Sequence, residues 1–364
     1  MKILEVVNSL SSVHGGSAEA PYQLSKELAK MGHDVTIYTA NSDRLVPQVK
    51  VRVFKSYTSW SEFYITPSMI REAREEVRRF DVIHMHNYRT FQNLVVYYYA
   101  RKYDIPYVLQ AHGSLATFFQ KGMLKKAFDA AGGDRILKDA KAIASSEAEA
   151  AQYRNMGIDE TKIEIVPNGV DLLEFEDLPQ SGEFKKKYGL EGRVVLFLGR
   201  IHKTKGLDLL AEAFVGLPSD VKLVIAGPDG GYLKPLKKLL AALKIDVLFT
   251  GPLYGKAKLS AYVDADVFVL SSSYEDFGMA AIEAMACGTP VVTTDRCGIS
   301  EIIDNAGVVV AYDEAALRCA LLKVLNDNEM RHELGEKGRS LVHEELNWQK
   351  VARRIVEMYE EVQR

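Results

Sequence analysis

The chain reads as an α/β protein of two doubly wound, parallel-sheet lobes facing a cleft, and three observations predict this. Short β-branched runs alternate along it with longer helical patterns, the signature of parallel βαβ units. Its 364 residues, 47% hydrophobic and 26% charged, suit two domains of about 100–200 residues, each with an ample core. Near its middle, the segment 171–182 (DLLEFEDLPQSG) is acidic, carries Pro179 and Gly182 and holds no period, which marks a linker. The expected organisation is an N-terminal domain over 1–172, a linker over 173–182, a C-terminal domain over 183–345 and a last helix, 346–364, crossing back to the first domain.

Taken in order, strands are expected near 2–7, 34–39, 50–54, 81–85, 107–110, 141–145 and 163–166. The helix between the first two shows the logic: Leu24, Leu28 and Met31 form an apolar stripe that must lie on the sheet, and Gly32 follows as a C-cap. In the second half, strands are expected near 194–199, 221–226, 246–250, 266–271, 290–293 and 307–310. The helix 206–215 carries Leu207, Leu210, Ala211 and Phe214 at i, i+3, i+4 and i+7. The last helix, roughly 347–363, starts at a plausible Asn347 cap and repeats Val351, Ile355, Met358 and Val362 on one face.

Composition narrows the function classes. With 46 basic and 49 acidic residues and a net charge of −3, the chain lacks the basic excess that non-specific nucleic-acid binding needs. Three cysteines, Cys287, Cys297 and Cys319, are odd in number and lack C-x-x-C spacing, which suits a reducing, cytoplasmic compartment. The apolar runs Ile3 to Val7 and Val194 to Leu198 are of strand length, far below the roughly 20 residues that cross a bilayer.

The most informative stretch is 271–290, SSSYEDFGMAAIEAMACGTP. Glu275 sits in the loop after a buried strand, Gly278 opens a helix, and Glu283 lies on that helix. Free N–H groups and the helix dipole make Phe277 to Ala280, with Met279 between them, a seat for phosphate. Two flanking carboxylates make no sense for phosphate alone. They do if each accepts from hydroxyls, Glu283 from a ribose and Glu275 from a second sugar. A second constellation is GRIHKTKG, 199–206, where Arg200 can fork onto phosphate oxygens and Lys205 adds a point charge at the C-terminal edge of a strand.

Weaker signals lie in the first half. His14-Gly15-Gly16-Ser17 follows the first strand and allows close approach to an anion, though a simple tight turn reads equally well. His112 of AHGS can aim an imidazole into the cleft, but a lone histidine is more often structural. The pairs Asp264/Asp266 and His84/His86 have ligand-like spacing; the first reads better as a cap for the helix before strand 266–271, the second as a strand end. Gly251 to Lys256 falls one residue short of a P-loop, and no G-x-G-x-x-G follows the first strand.

Together these residues resemble the large retaining glycosyltransferase family 4, whose fold is GT-B, two Rossmann-like lobes. The likeness covers essentially the whole chain: the Gly-rich first loop, VIHMH at 82–86, AHGS at 111–114, VPNGVD at 166–171, GRIHKTKG at 199–206 and EDFGMAAIEAMACGTPVV at 275–292. The last of these is similar to the family's E-x7-E signature. The resemblance implies that Arg200 and Lys205 hold the donor diphosphate, Glu283 the ribose and Glu275 the transferred sugar. Phe277, Gly278 and Met279 would bring backbone groups to the phosphates and sugar, and Gly16 and His112 would reach the donor from the first lobe. Asn168 matches too, in a mainly structural role. The family needs no bound metal and no cofactor beyond the nucleotide diphosphosugar that is its substrate.

The function expected is therefore transfer of a glycosyl group from a UDP- or GDP-sugar to a glycan, lipid-linked or small-molecule acceptor. Acceptor-side loops are 56–66, 87–92 and 114–130; the third mixes phenylalanines with Lys121, Lys125 and Lys126, an arrangement able to touch an anionic membrane face. The alternatives are a sugar-nucleotide 2-epimerase on the same fold and a non-catalytic nucleotide-sugar binder.

Overall fold

The structure, a computed structural model, describes residues 1–11, 16–57, 59–60, 63–115 and 128–364. It divides into two compact units, Met1–Asn168 with Trp348–Arg364, and Gly169–Asn347.

The first unit is built on strands β1 (Lys2–Val7), β2 (Asp34–Thr39), β3 (Lys50–Val53), the short pair β4 (Ser59–Trp60) and β5 (Phe63–Tyr64), then β6 (Val82–His86), β7 (Tyr107–Gln110), β8 (Lys141–Ala144) and β9 (Ile163–Ile165). Seven of these form one sheet in the order β3-β2-β1-β6-β7-β8-β9, parallel throughout. β4 and β5 pair antiparallel as a separate hairpin; strands of two residues are too short to carry a hydrophobic period, so the sequence reading had no signal for them. Because a doubly wound sheet is covered on both faces, its strands are apolar in continuous runs rather than alternating. Every residue of β6 is buried, His84 and His86 included.

The helix Gly16–Lys30 buries Leu24 and Leu28. Met31 lies past its last turn and is 42% exposed, so the stripe is two residues, with Gly32 at φ 88° closing the turn. The terminal helix Trp348–Val362 belongs to this unit, and its Val351, Ile355, Met358 and Tyr359 share a buried cluster with Ile3, Leu24 and Leu28. Asn347, expected as its cap, donates its amide to the His343 carbonyl at 2.8 Å.

The second unit carries β10 (Arg193–Leu198), β11 (Val221–Ala226), β12 (Val247–Gly251), β13 (Val267–Leu270), β14 (Val291–Thr294) and β15 (Val308–Val310). They form a parallel sheet in the order β12-β11-β10-β13-β14-β15. The acidic segment 171–182 lies in this unit: Phe175 is buried beside Phe184, and Leu172 and Leu178 pack on the same cluster. Leu207, Leu210, Ala211 and Phe214 are all buried against the sheet. Asp264 departs from its expected role. It stands at the C-terminal end of the helix Gly255–Asp264, where carbonyls point outward and a carboxylate has nothing to accept; it turns instead to the start of the helix Glu183–Tyr188 and accepts from the N–H groups of Gly182 and Lys185 at 2.5 and 2.9 Å.

Candidate functional site

In the second sheet the strand order reverses between β10 and β13, which are neighbours although strands 11 and 12 lie between them in sequence. Open α/β sheets bind ligands outside the carboxyl ends of their strands at such a switch point. Those ends are Leu198, followed by Gly199 and Arg200, and Leu270, followed by the serines 271–273 and Glu275.

The loops leaving these two strands are stitched together. Ser271 Oγ donates to the Lys205 carbonyl at 3.0 Å, and the Thr204 carbonyl accepts from the Ser273 N–H at 2.9 Å and from its hydroxyl at 3.2 Å. Gly206 is required here: at φ 60° a Cβ would stand 1.9 Å from the Ser271 carbonyl oxygen. The turn Lys203–Lys205 is capped by His202, whose ring Nδ1 accepts from the Thr204 N–H. The outcome is that Lys205 Nζ meets Glu275 Oε2 in an ion pair, both side chains mostly buried. Glu275 is held from three more directions: Ser272 Oγ donates to the same oxygen at 3.1 Å, the Glu275 N–H donates to the Arg296 carbonyl at 3.2 Å, and its carbonyl accepts from Gly298 at 3.0 Å. Arg200 is exposed, and its stem lies over Gly230, where a Cβ would come within 2.7 Å of it.

Two residues on from Asp276, Gly278 begins the helix Met279–Ala286 at φ 118°, without a side-chain cap. A Cβ there would meet Leu270 Cδ2 at 2.9 Å and Ile299 Cγ2 at 3.1 Å, so the helix start is pressed against the strand end. Phe277 is buried and its carbonyl accepts from Ile299 at 2.7 Å; Met279 is partly buried. Glu283, on the same helix, is paired on both oxygens, Oε1 with Lys258 Nζ at 2.9 Å and Oε2 with the Tyr262 hydroxyl at 2.9 Å. Burial pulls the Lys258 ammonium down, but the charge and hydrogen bond of Glu283 outweigh it and hold its pKa above the usual lysine value. Burial drives the Tyr262 phenol well up, helped by the same carboxylate, and pushes the Cys287 thiol up to about 12.

The sequence reading singled out Lys205, Glu275, Gly278 and Glu283, and these fall on the strand-end loops and the helix just described. It passed over the serines 271–273, which fix the loop pair, and over Lys258 and Tyr262. The signal for the last two was available: they are four apart on one helix and so share a face. Within the first unit, Gly16 opens the first helix and is exposed; His14 and Gly15 lie outside the described residues. Asn168 is buried, and its amide oxygen has no hydrogen-bond partner among the described residues. His112, at φ 50°, is bonded to His86, and the neighbouring Gly113 N–H donates to Glu149 at 2.7 Å.

Of the loops read as acceptor-facing, 87–92 is pinned inward. Tyr88 and Gln92 are buried, and Arg89 forms a two-bond pair with Asp129 at 2.8 and 2.9 Å. Most of 114–130, with Lys121, Lys125 and Lys126, lies outside the described residues.

Comparison with known proteins agrees with the fold. The model of Glycosyltransferase Family 4 matches residues 14–173, and that of Glycosyl transferases group 1 matches residues 180–341. A D-inositol 3-phosphate glycosyltransferase of Frankia alni is 30% identical over 95% of this chain and 94% of its own; one from Xylanimonas cellulosilytica is 27% identical over 95% and 91%. Among solved structures, Anabaena HepE in complex with UDP and glucose superposes with a TM-score of 0.82 at 19% identity, covering 99% of this chain and all of that one. Sucrose-phosphate synthase from Thermosynechococcus elongatus gives 0.79 at 21% identity, covering 100% and 99%. Two parallel-sheet units of the GT-B type, matched along nearly their whole length by transferases of one kind, leave one assignment: the chain belongs to glycosyltransferase family 4.

Proposed function

We propose that this glycosyltransferase moves a sugar from a nucleotide diphosphosugar, a UDP- or GDP-sugar, to a glycan, lipid-linked or small-molecule acceptor, with retention at the anomeric carbon and without a metal ion. The observation that carries the reading is the Lys205–Glu275 pair, held at the strand ends beside the uncapped helix start at Gly278. A cation and a set of helix N–H groups there favour a diphosphate, and they favour it more as charge builds on the leaving oxygens, which is where fixed dipoles accelerate a reaction. Arg200 adds a fork-shaped donor for the same oxygens. Glu275, its charge balanced by Lys205, accepts from hydroxyls of the transferred sugar, and Glu283, oriented by Tyr262 and Lys258, accepts from those of the ribose. Backbone groups of Phe277 and Met279 supply further contacts, and Gly16, His112 and Asn168 complete the proposed donor set. The reaction runs in the cytoplasm, with peripheral contact at the membrane face where the acceptor is lipid-linked.

Thermal shifts with UDP, GDP, ADP and NAD, with and without a chelator, test this first. A ligand at about a hundred times its dissociation constant adds about 2.7 kcal/mol of stability. One nucleoside diphosphate should win, unaffected by chelator; uridine is the first choice, supported by the UDP seen in HepE. No diphosphate shift, or a shift with NAD alone, overturns the reading. Incubating the matching nucleotide sugar without acceptor separates an epimerase, which converts it alone, and the anomer formed with an acceptor tests retention.

A further inference from the structure

The paired strands β1 and β6 bring together buried polar groups that the reaction described above leaves unused. Glu5, His84 and His86 are fully buried, and their oxygen and nitrogen atoms come within 4.8 Å of one another. Hydrogen bonds connect them into a line. Glu5 Oε2 is bonded to His86 Nε2, and His86 Nδ1 is bonded to His112 Nε2 at 2.9 Å. The His86 and His112 rings are near parallel, 13° apart with centroids at 5.2 Å. His112 is the partly exposed end of this line. From the other side, Tyr359 of the terminal helix donates to Glu5 Oε1 at 3.5 Å and is bonded to His84 Nδ1 at 2.7 Å.

Such a line can run in only two directions. With Glu5 ionised, His86 donates from Nε2 to the carboxylate, its Nδ1 accepts from His112 Nε2–H, and His112 Nδ1 carries a lone pair. With Glu5 protonated, the carboxyl O–H donates to His86 Nε2, His86 donates from Nδ1 to His112 Nε2, and His112 Nδ1 carries a proton. The two states differ by one proton. It enters at His112 Nδ1 while one N–H proton passes from His112 to His86 and one from His86 to Glu5, and every ring stays neutral in both.

We propose that Glu5 and His86 are positioning residues that set the tautomer of His112, so that the protonation of Glu5 decides whether His112 Nδ1 offers a hydrogen-bond donor or an acceptor. The surroundings agree with the direction of this switch. Burial raises Glu5 to about 7 against the lowering pull of His84 and the Tyr359 hydroxyl, and it lowers His86 to about 3. Burial also holds His84 and His112 well down, each with a neighbouring imidazole adding to the effect. The proton therefore rests on the carboxyl, and the rings only pass it on. Glu149, the other buried carboxyl nearby, is committed to the N–H groups of Gly113 and Ser145 and to the Ser145 hydroxyl.

The functional weight of the switch rests on the proposed role of His112 toward the donor; the switch itself does not, and the experiment separates the two. Full-length protein labelled with 15N-histidine is followed by two-bond proton–nitrogen correlation between about pH 5.5 and 8.5, with the His112 signals assigned from His112→Asn. The expected result is a neutral His112 throughout, its Nδ1 protonated at the acid end and unprotonated at the alkaline end, and loss of this interchange in Glu5→Gln. An unchanging tautomer, or a His112 that charges to imidazolium, overturns the proposal; the wild-type spectra decide this even where Glu5→Gln fails to fold. kcat/KM for transfer should then show an inflection at the same pH that Glu5→Gln removes. An interchange without that inflection keeps the switch and refutes the role of His112.

Discussion

Acidification is the perturbation whose effect on the first unit can be worked out most completely. His84, His86 and His112 are held neutral by burial, whereas in the unfolded chain each titrates near 6.5. Their folded pKa values are depressed, so below about pH 6.5 the unfolded chain takes up protons that the folded chain refuses. Glu5 acts in the opposite sense. Raised from 4.5 to about 7, it holds a proton in the folded chain that the unfolded one has lost, and stability from this source falls as pH rises through 7. Near pH 5.5, counting the three rings and Glu5, the unfolded chain binds about three more protons at the rings and the folded chain about one more at Glu5, a net of about two. At about 1.4 kcal/mol per proton per pH unit, these four groups cost the unit about 3 kcal/mol for each unit of acidification, a loss that Glu149, also raised by burial, offsets in part. The assay is urea unfolding read by tryptophan fluorescence, because Trp60 and Trp348 both lie in the first unit. The midpoint should hold above pH 6.5 and fall steeply below it. A midpoint flat from pH 7.5 to 5 would show that the rings charge in place, and would refute the burial argument for all of them.

Three further outcomes follow from the second unit. Glu275→Ala should abolish transfer while leaving nucleotide affinity nearly intact, whereas Arg200→Ala and Lys205→Ala should weaken both; calorimetric titration with the winning diphosphate, beside initial rates, checks this, and a fully active Glu275→Ala sinks the central assignment. Tyr262→Phe removes one donor from the Glu283 carboxylate, a hydrogen bond to a charged group and so about 1.5–3 kcal/mol. It should weaken nucleotide binding about ten- to hundredfold, measured in the same titration. Gly206→Ala puts a Cβ 1.9 Å from the Ser271 carbonyl oxygen at φ 60°, a strained position worth about 1–3 kcal/mol; it should lower the thermal midpoint of the second unit and, by displacing Lys205 from Glu275, cost more in kcat than in stability.

How much of this was legible in the chain depends on whether a feature is local. Strand positions were readable because both sheets are covered on two faces, and runs such as VVLFL at 194–198 need no partner to be recognised. The strand-end loops were readable for a similar reason: a glycine that must approach a backbone, a cation and a helix start lie within a few residues of one another. What escaped were contacts between distant segments. Nothing in KTK or SSS says that Thr204 and Ser273 meet, and the anchoring of Glu283 by Lys258 spans 25 residues.

The first unit carries the harder lesson. VIHMH looked like a strand end with ligand-like spacing, and AHGS like a lone histidine, because the contacts that make a line of them are distant in sequence: His86 bonds to His112, 26 positions on, and to Glu5, 81 positions back. An acid inside the otherwise apolar, buried run ILEVV of the first strand was the visible anomaly. A buried carboxyl without partners is costly enough that its presence requires a neighbour. Strand order supplies it: β1 and β6 are adjacent at the switch point, in a register that sets Glu5 beside His84. An inward acid on the first strand and an H-x-H on the strand that will pair with it therefore form a single feature, readable only once the sheet topology is assumed. That same pairing converts His112 from an isolated imidazole into the outer end of a proton-carrying line.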